Sequence, residues 1–200
     1  MKLKKALFII FIVLLIDQIS KFYIKTNFFY GEDVIVFDWF RIHFIENNGM
    51  AWGAEFGGKA GKLFLTVFRL FAITGIGYWL FTSVKKKANT ILIVAISLIF
   101  AGAMGNIIDS VFYGVIFNTP GGHDLATLFS EQATGKLFFG KVVDMLYFPI
   151  WSGDLPSWLP ILGGKPFTFF NAIFNVADTS ISTGVGLLIF FNKKAFPKGL

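Results

Sequence analysis

A chain of 200 residues that is 55% hydrophobic and only 15% charged, with a mean hydropathy of +0.68, carries more apolar surface than a soluble core of this size can hide. The composition excludes an ordinary soluble domain and points to a protein that crosses a membrane several times. The absence of cysteine excludes disulfides and thiol catalysis, and the net charge of +6 is placed in a way that argues for membrane topology rather than for nucleic acid.

Lys2, Lys4 and Lys5 precede an unbroken apolar run over 6–16, the outline of a secretory signal peptide. No small-residue cleavage site follows. Asp17, Gln18, Ser20 and Lys21 come next, so residues 6–24 are read as an uncleaved first span. Residues 27–60 are too mixed to span. Two short strands are predicted over 34–37 and 40–45, around Asp38-Trp39, because Phe40, Ile42 and Phe44 alternate with Arg41 and His43. Asn47-Asn48-Gly49 signals a turn, and 50–56 reads as a short interfacial helix.

Residues 63–84 form a second span, with Arg69 expected to snorkel outward. Residues 90–108 form a third, and 171–191 a fourth. Each is close to the roughly 20 residues needed to cross a hydrocarbon core. Residues 111–170, rich in turn signals such as Thr119-Pro120-Gly121-Gly122 and Gly163-Gly164, are read as a long connection on the same side as 27–60. The whole chain is one membrane domain over 1–200. Lysines cluster before span one, at 85–87 between spans two and three, and at Lys193, Lys194 and Lys198 after span four. Four spans put all three clusters on one side, which makes both termini cytoplasmic.

Against this apolar background the polar residues stand out. At about 1.5 Å per helical residue, Asp17 lies about 16 Å and Asn106 about 24 Å above the inner edge, and Asp178 roughly 10 Å below the outer one. All three fall in the outer half of the bilayer, and Asp144 sits in the outer loop beside them. An acid within a span marks a functional site by default. Asn175, Asp178, Thr179 and Ser182 share one helical face, as do Gly102, Asn106 and Asp109. Plainer roles exist for most of these residues. Asp17 and Lys21 at i and i+4 make a structural ion pair, Asn106 and Asn175 serve as interhelical glue, and Asp109 caps a helix end near water. Asp144 taken alone is a solvated loop acid. His43 and His123 lie far apart without metal-ligand spacing, so no metal site is expected, and no cofactor.

Five blocks resemble those of the bacterial lipoprotein signal peptidases (signal peptidase II), in order along nearly the whole chain. They are Asp17-Gln18-Ile19-Ser20-Lys21, Asn48-Gly49-Met50-Ala51-Trp52-Gly53, Gly105-Asn106-Ile107-Ile108-Asp109, Val142-Val143-Asp144-Met145 and Phe174-Asn175-Val176-Ala177-Asp178. The resemblance implies an all-α membrane protein with four transmembrane helices, a small extracytoplasmic β-cradle and a short interfacial helix. It implies an aspartic endopeptidase with Asp144 and Asp178 as the catalytic pair. Asp17, Lys21, Asn48, Gly49, Asn106, Asp109, Asn175 and Ala177 would bind substrate or support the pair. The implied substrate is a diacylglyceryl-modified prolipoprotein, cut before its lipidated cysteine at the outer face of the bacterial cytoplasmic membrane. A monomer in contact with membrane lipid and blocked by globomycin-type inhibitors is expected. The family often has arginine after the aspartate of the third block, where this chain has Ser110. The rival reading is a small proton-coupled transporter, which would also use intramembrane acids but would be expected to show internal repeats and a midplane site.

Overall fold

A computed structural model of the chain describes residues 1–48, 58–118, 124–129 and 136–197. The apolar runs fold as helices α1 (Leu3–Asn27), α2 (Gly58–Lys85) and α3 (Thr90–Ile116), each long and apolar enough to cross a membrane. α4 (Val176–Phe190) is apolar but shorter, and α5 (Asn192–Ala195) follows it directly. Between the helices lie the strands β1 (Asp33–Phe37), β2 (Phe40–Asn47), β3 (Val142–Tyr147), β4 (Trp151–Asp154), β5 (Pro166–Phe169) and β6 (Ile173–Phe174).

α3 is the central helix, packed against α1, α2 and α4. Its small residues set how close the others come. A Cβ at Gly102 would run into the backbone carbonyl of Ala177 on α4, and one at Gly105 would lie 2.5 Å from Asp17 Oδ2 on α1. The outward faces of the helices are aromatic: Phe8, Phe64, Phe71 and Phe190 are all exposed, as lipid contact requires. At one end Ala6, Leu80, Leu92, Ile93 and Ala195 share a cluster, which gathers the lysine-bearing ends of α1, α2 and α5 with the start of α3. At the other end Ile24, Phe44, Tyr113, Phe117, Val143 and Met145 seat the strands on α1 and α3.

The first sheet is antiparallel in the order β1-β2-β3-β6, and β4 and β5 form a separate hairpin. The strands predicted over 34–37 and 40–45 are β1 and β2, each slightly longer than expected. Four expectations are corrected. Asp144 is not in a loop but on β3, an inner strand, opposite Ile45 of β2. α3 runs on to Ile116, so Asp109 is fully buried within it rather than capping its end. The fourth apolar run is not helical throughout 171–191: Ile173 and Phe174 pair with Tyr147 and Leu146, and the helix starts only after Asn175. The connection over 111–170 carries three strands of its own. The interfacial helix expected over 50–56 lies outside the described residues, as do Gly49 and His123.

Candidate active site

Asn175 is the hinge of the site. It is the N-cap of α4, and its Oδ1 accepts the backbone N–H of Asp178 at 2.9 Å while Asp178 Oδ2 accepts the backbone N–H of Asn175 at 3.4 Å. This reciprocal box satisfies two otherwise orphaned donors and fixes the Asp178 side chain. The other end of the same amide donates from Nδ2 to Asp144 Oδ1 at 2.7 Å and to Asn106 Oδ1 at 3.1 Å. Asn106 Nδ2 in turn donates to Asp178 Oδ1 at 2.8 Å. Two asparagines, from α3 and the start of α4, thus stand between two carboxylates, from β3 and α4. Asp178 lies in the first turn of its helix rather than seven positions down a span, because the helix begins later than the apolar run does.

Around this pair lies a second, fully buried set. Lys21 Nζ lies 2.9 Å from Asp17 Oδ2 and 2.7 Å from Asp109 Oδ2, and donates to Asn106 Oδ1 at 3.0 Å. Asp17 Oδ1 accepts the backbone N–H of Ala177 at 2.9 Å, so Ala177 contributes its main chain. Gln18 donates to Asp109 Oδ1 at 3.0 Å and accepts from the Tyr113 hydroxyl at 3.1 Å. Asp17 and Lys21 do form the expected pair, but Asp109 makes it a triad.

Electrostatics follow from burial. Asp144 is almost completely buried, and burial first, with the Asp178 charge second, pushes it up to about 7. Hydrogen bonds from Asn47 and Asn175 and the Lys21 charge work in the other direction. On β2, burial would raise Glu46, but Lys25 and Lys141 flank it and hold it below the usual carboxylate range.

The structure brings together Asp17, Lys21, Asn106, Asp109, Asp144, Asn175, Ala177 and Asp178. Asn48 accepts from Lys62 Nζ of α2 at 3.0 Å, whereas its neighbour Asn47 donates to Asp144 Oδ2 at 3.3 Å. Asn47, Gln18 and Tyr113 are site residues that the sequence reading did not single out. Tyr113 follows Asp109 by one helical turn, a readable spacing once α3 is extended past 108. Arg69 does not simply point outward: it is half-buried on α2, and its charge and that of Asp178 attract each other.

The arrangement gathers two carboxylates around a pair of asparagine amides, and comparison with known proteins gives the family. A family model described as signal peptidase (SPase) II matches residues 9–192. The chain belongs to the signal peptidase II family. A protein named lipoprotein signal peptidase from Porphyromonas gingivalis is 46% identical over 183 residues, covering 90% of this chain and 79% of that one. One of the same name from Amoebophilus asiaticus is 35% identical, covering 89% and 73%. A solved structure described as a bacterial membrane enzyme superposes with a TM-score of 0.63 at 27% identity, covering 97% of this chain and 96% of the other.

Proposed function

We propose that this chain, a signal peptidase II by family, removes the signal peptide from prolipoproteins whose cysteine already bears diacylglycerol, cutting before that cysteine. The observation that carries the mechanism is Asn175, whose one amide touches Asp144 while its box fixes Asp178. With Asp144 poised near neutrality, the pair shares a proton. One carboxylate takes a proton from water as its oxygen attacks the scissile carbonyl, and the other protonates the carbonyl oxygen. Collapse of the tetrahedral carbon breaks the C–N bond, and the dyad returns a proton to the leaving amine. Asn106 and Asn175 orient the reacting groups through donors that need no rearrangement.

The proposed setting is the bacterial cytoplasmic membrane, as a monomer of one domain over 1–200. α4 is the fourth crossing, both termini are cytoplasmic, and the four-stranded sheet is the extracytoplasmic cradle with the dyad near the outer face. The gathering of the lysine-bearing helix ends supports this. α4 alone spans only about 22 Å, so β6 and α5 at its ends complete the crossing. Globomycin-type inhibitors are expected to occupy the same cleft.

The test is a gel assay of a lipidated precursor with purified protein. Release of the signal peptide from the lipidated precursor, and not from the unlipidated one, is expected. Cleavage that persists undiminished in both Asp144→Asn and Asp178→Asn would overturn the mechanism.

A further inference from the structure

The β4–β5 hairpin has two chemical faces. Trp151 is registered with Phe169 and Gly153 with Phe167, while Ser152 is registered with Thr168. Registered residues share a face and successive residues alternate. Trp151, Phe167 and Phe169 therefore form an apolar face, and all three are exposed. On the other face Ser152 Oγ donates to Thr168 Oγ1 at 3.1 Å. The tip is apolar as well, with Trp158 77% and Ile161 89% exposed and Leu162 exposed beside them. Asp154 and Lys165 are the sole charges between Ile150 and Phe170. A two-stranded hairpin bearing this much uncovered apolar surface is not stable by itself in water.

Two observations indicate what covers it. Most of the tip's backbone is satisfied internally: the N–H groups of Leu155, Leu159, Leu162, Gly163, Gly164 and Lys165 donate to carbonyls within 155–165. That lowers the cost of entering the lipid interface, where an unpaired N–H is costly. The hairpin is also continuous with the apolar helix belt. Phe170, just past β5, contacts the Phe174 ring at 5.9 Å, and α4 begins at Val176.

Resting on the membrane reading above, we propose that the β4–β5 hairpin dips into the lipid interface of the leaflet nearest the dyad. Ile161, Leu162 and Phe167 reach towards the acyl chains, Trp151 and Trp158 sit at headgroup level, and Ser152 and Thr168 face water. Tryptophan is favoured at that level. Because β3 leads through a short link into β4, the hairpin fixes the height of Asp144 relative to the bilayer. The partner is the lipid surface itself, not a second copy.

The natural chain has no cysteine, so single-cysteine labelling is clean. Ile161→Cys, Ser152→Cys and Phe71→Cys, each in the full chain and checked for precursor cleavage, would carry an environment-sensitive fluorophore in phosphatidylcholine vesicles. Expected: nitroxide-labelled lipid quenches the probes at 161 and 71, while an aqueous collider quenches the one at 152. A probe at 161 that behaves like the one at 152 overturns the proposal. So does a probe at 161 shielded from both quenchers in proportion to protein density, which assigns the hairpin to a second copy. A probe at 71 that lipid does not quench instead sinks the membrane reading on which this rests.

Discussion

Asp109 accepts the backbone N–H of Val143 at 3.4 Å, and Val143 is the residue before Asp144. Asp17 does the same for Ala177, the residue before Asp178. Each dyad aspartate is thus held by a buried carboxylate gripping the main chain one residue upstream, and Lys21 ties the two grips together. On the proposed mechanism, the outer set of acids is a positioning frame and the inner set carries the chemistry.

The dyad gives the first prediction. Asp→Asn at 144 or 178 keeps size and one accepting oxygen but cannot shuttle a proton. Each single change should reduce cleavage of the lipidated precursor by about 10²–10⁴-fold. The double change should be little worse, because the two act as a unit. Turnover assays on membranes with matched protein levels check this.

Asp144 also predicts a pH effect on stability. Its carboxyl ionises near 4 when unfolded but holds its proton to about 7 when folded. Unfolding therefore releases a proton between those values, and stability falls as pH rises from about 4 to about 7. Glu46, held low, contributes the opposite slope at more acidic pH: its stabilisation is lost as pH falls. Melting curves of wild type and Asp144→Asn across pH isolate the aspartate, since Glu46 is common to both. The variant, although inactive, should lack the decline.

Lys21→Met should be severe. It leaves Asp17 and Asp109 as buried acids without their cation, and breaking such a pair costs about 3–5 kcal/mol. Thermal unfolding in detergent should show the loss. Adding Asp109→Asn should recover part of it, which a purely catalytic role for Lys21 does not predict.

Ser110 and Arg69 make a contrasting pair. Ser110 is buried and donates to the carbonyl of Asn106 on its own helix at 2.8 Å, so it presents nothing to the dyad. Ser110→Ala should keep most cleavage. Arg69 brings a positive charge towards Asp178 from α2. Arg69→Gln should lower kcat/KM by about tenfold or more, the effect of roughly 1.4 kcal/mol, and Arg69→Lys should restore part of it. Equal activity in all three would remove Arg69 from the site.

Gly102→Ala tests packing precision. The new methyl meets the Ala177 carbonyl and lies 2.7 Å from Ile181 Cγ1. α4 must move off α3 and take Asp178 with it. Overpacking of this kind costs about 1–3 kcal/mol, and a shift of about 1 Å at a reacting group costs on the order of 10²-fold in rate. Cleavage should fall much further than melting temperature.

Much of the fold was readable because apolar length and lysine placement are strong signals, and β1 and β2 alternate cleanly. β3 was not readable: Val142-Val143-Asp144-Met145 puts an acid where a strand would be buried, and only tertiary contacts with Asn47 and Asn175 make that tolerable. The start of α4 was misplaced because Ile173 and Phe174 suit a helix as well as a strand, and pairing with Leu146 and Tyr147 decides it. Asn175 with Asp178 three residues on is a capping signal, and the sequence reading took it only as a shared face. Asn47 was hidden by its neighbour Asn48, since a turn signal does not say which side chain faces inward.

The box that joins Asn175 to Asp178 also sets an order of events. α1 supplies Asp17 and Lys21 early in synthesis, α3 supplies Asn106 later, and β3 brings Asp144 later still. Asp178 comes from the last long helix and takes its place only when that helix has nucleated on Asn175. A nascent chain that ends before Asn175 therefore holds Asp17, Lys21, Asn106 and Asp144 without the residue that joins them. On the proposed mechanism, hydrolytic power arrives with the last long helix, and a chain truncated before Asn175 is expected to be inert.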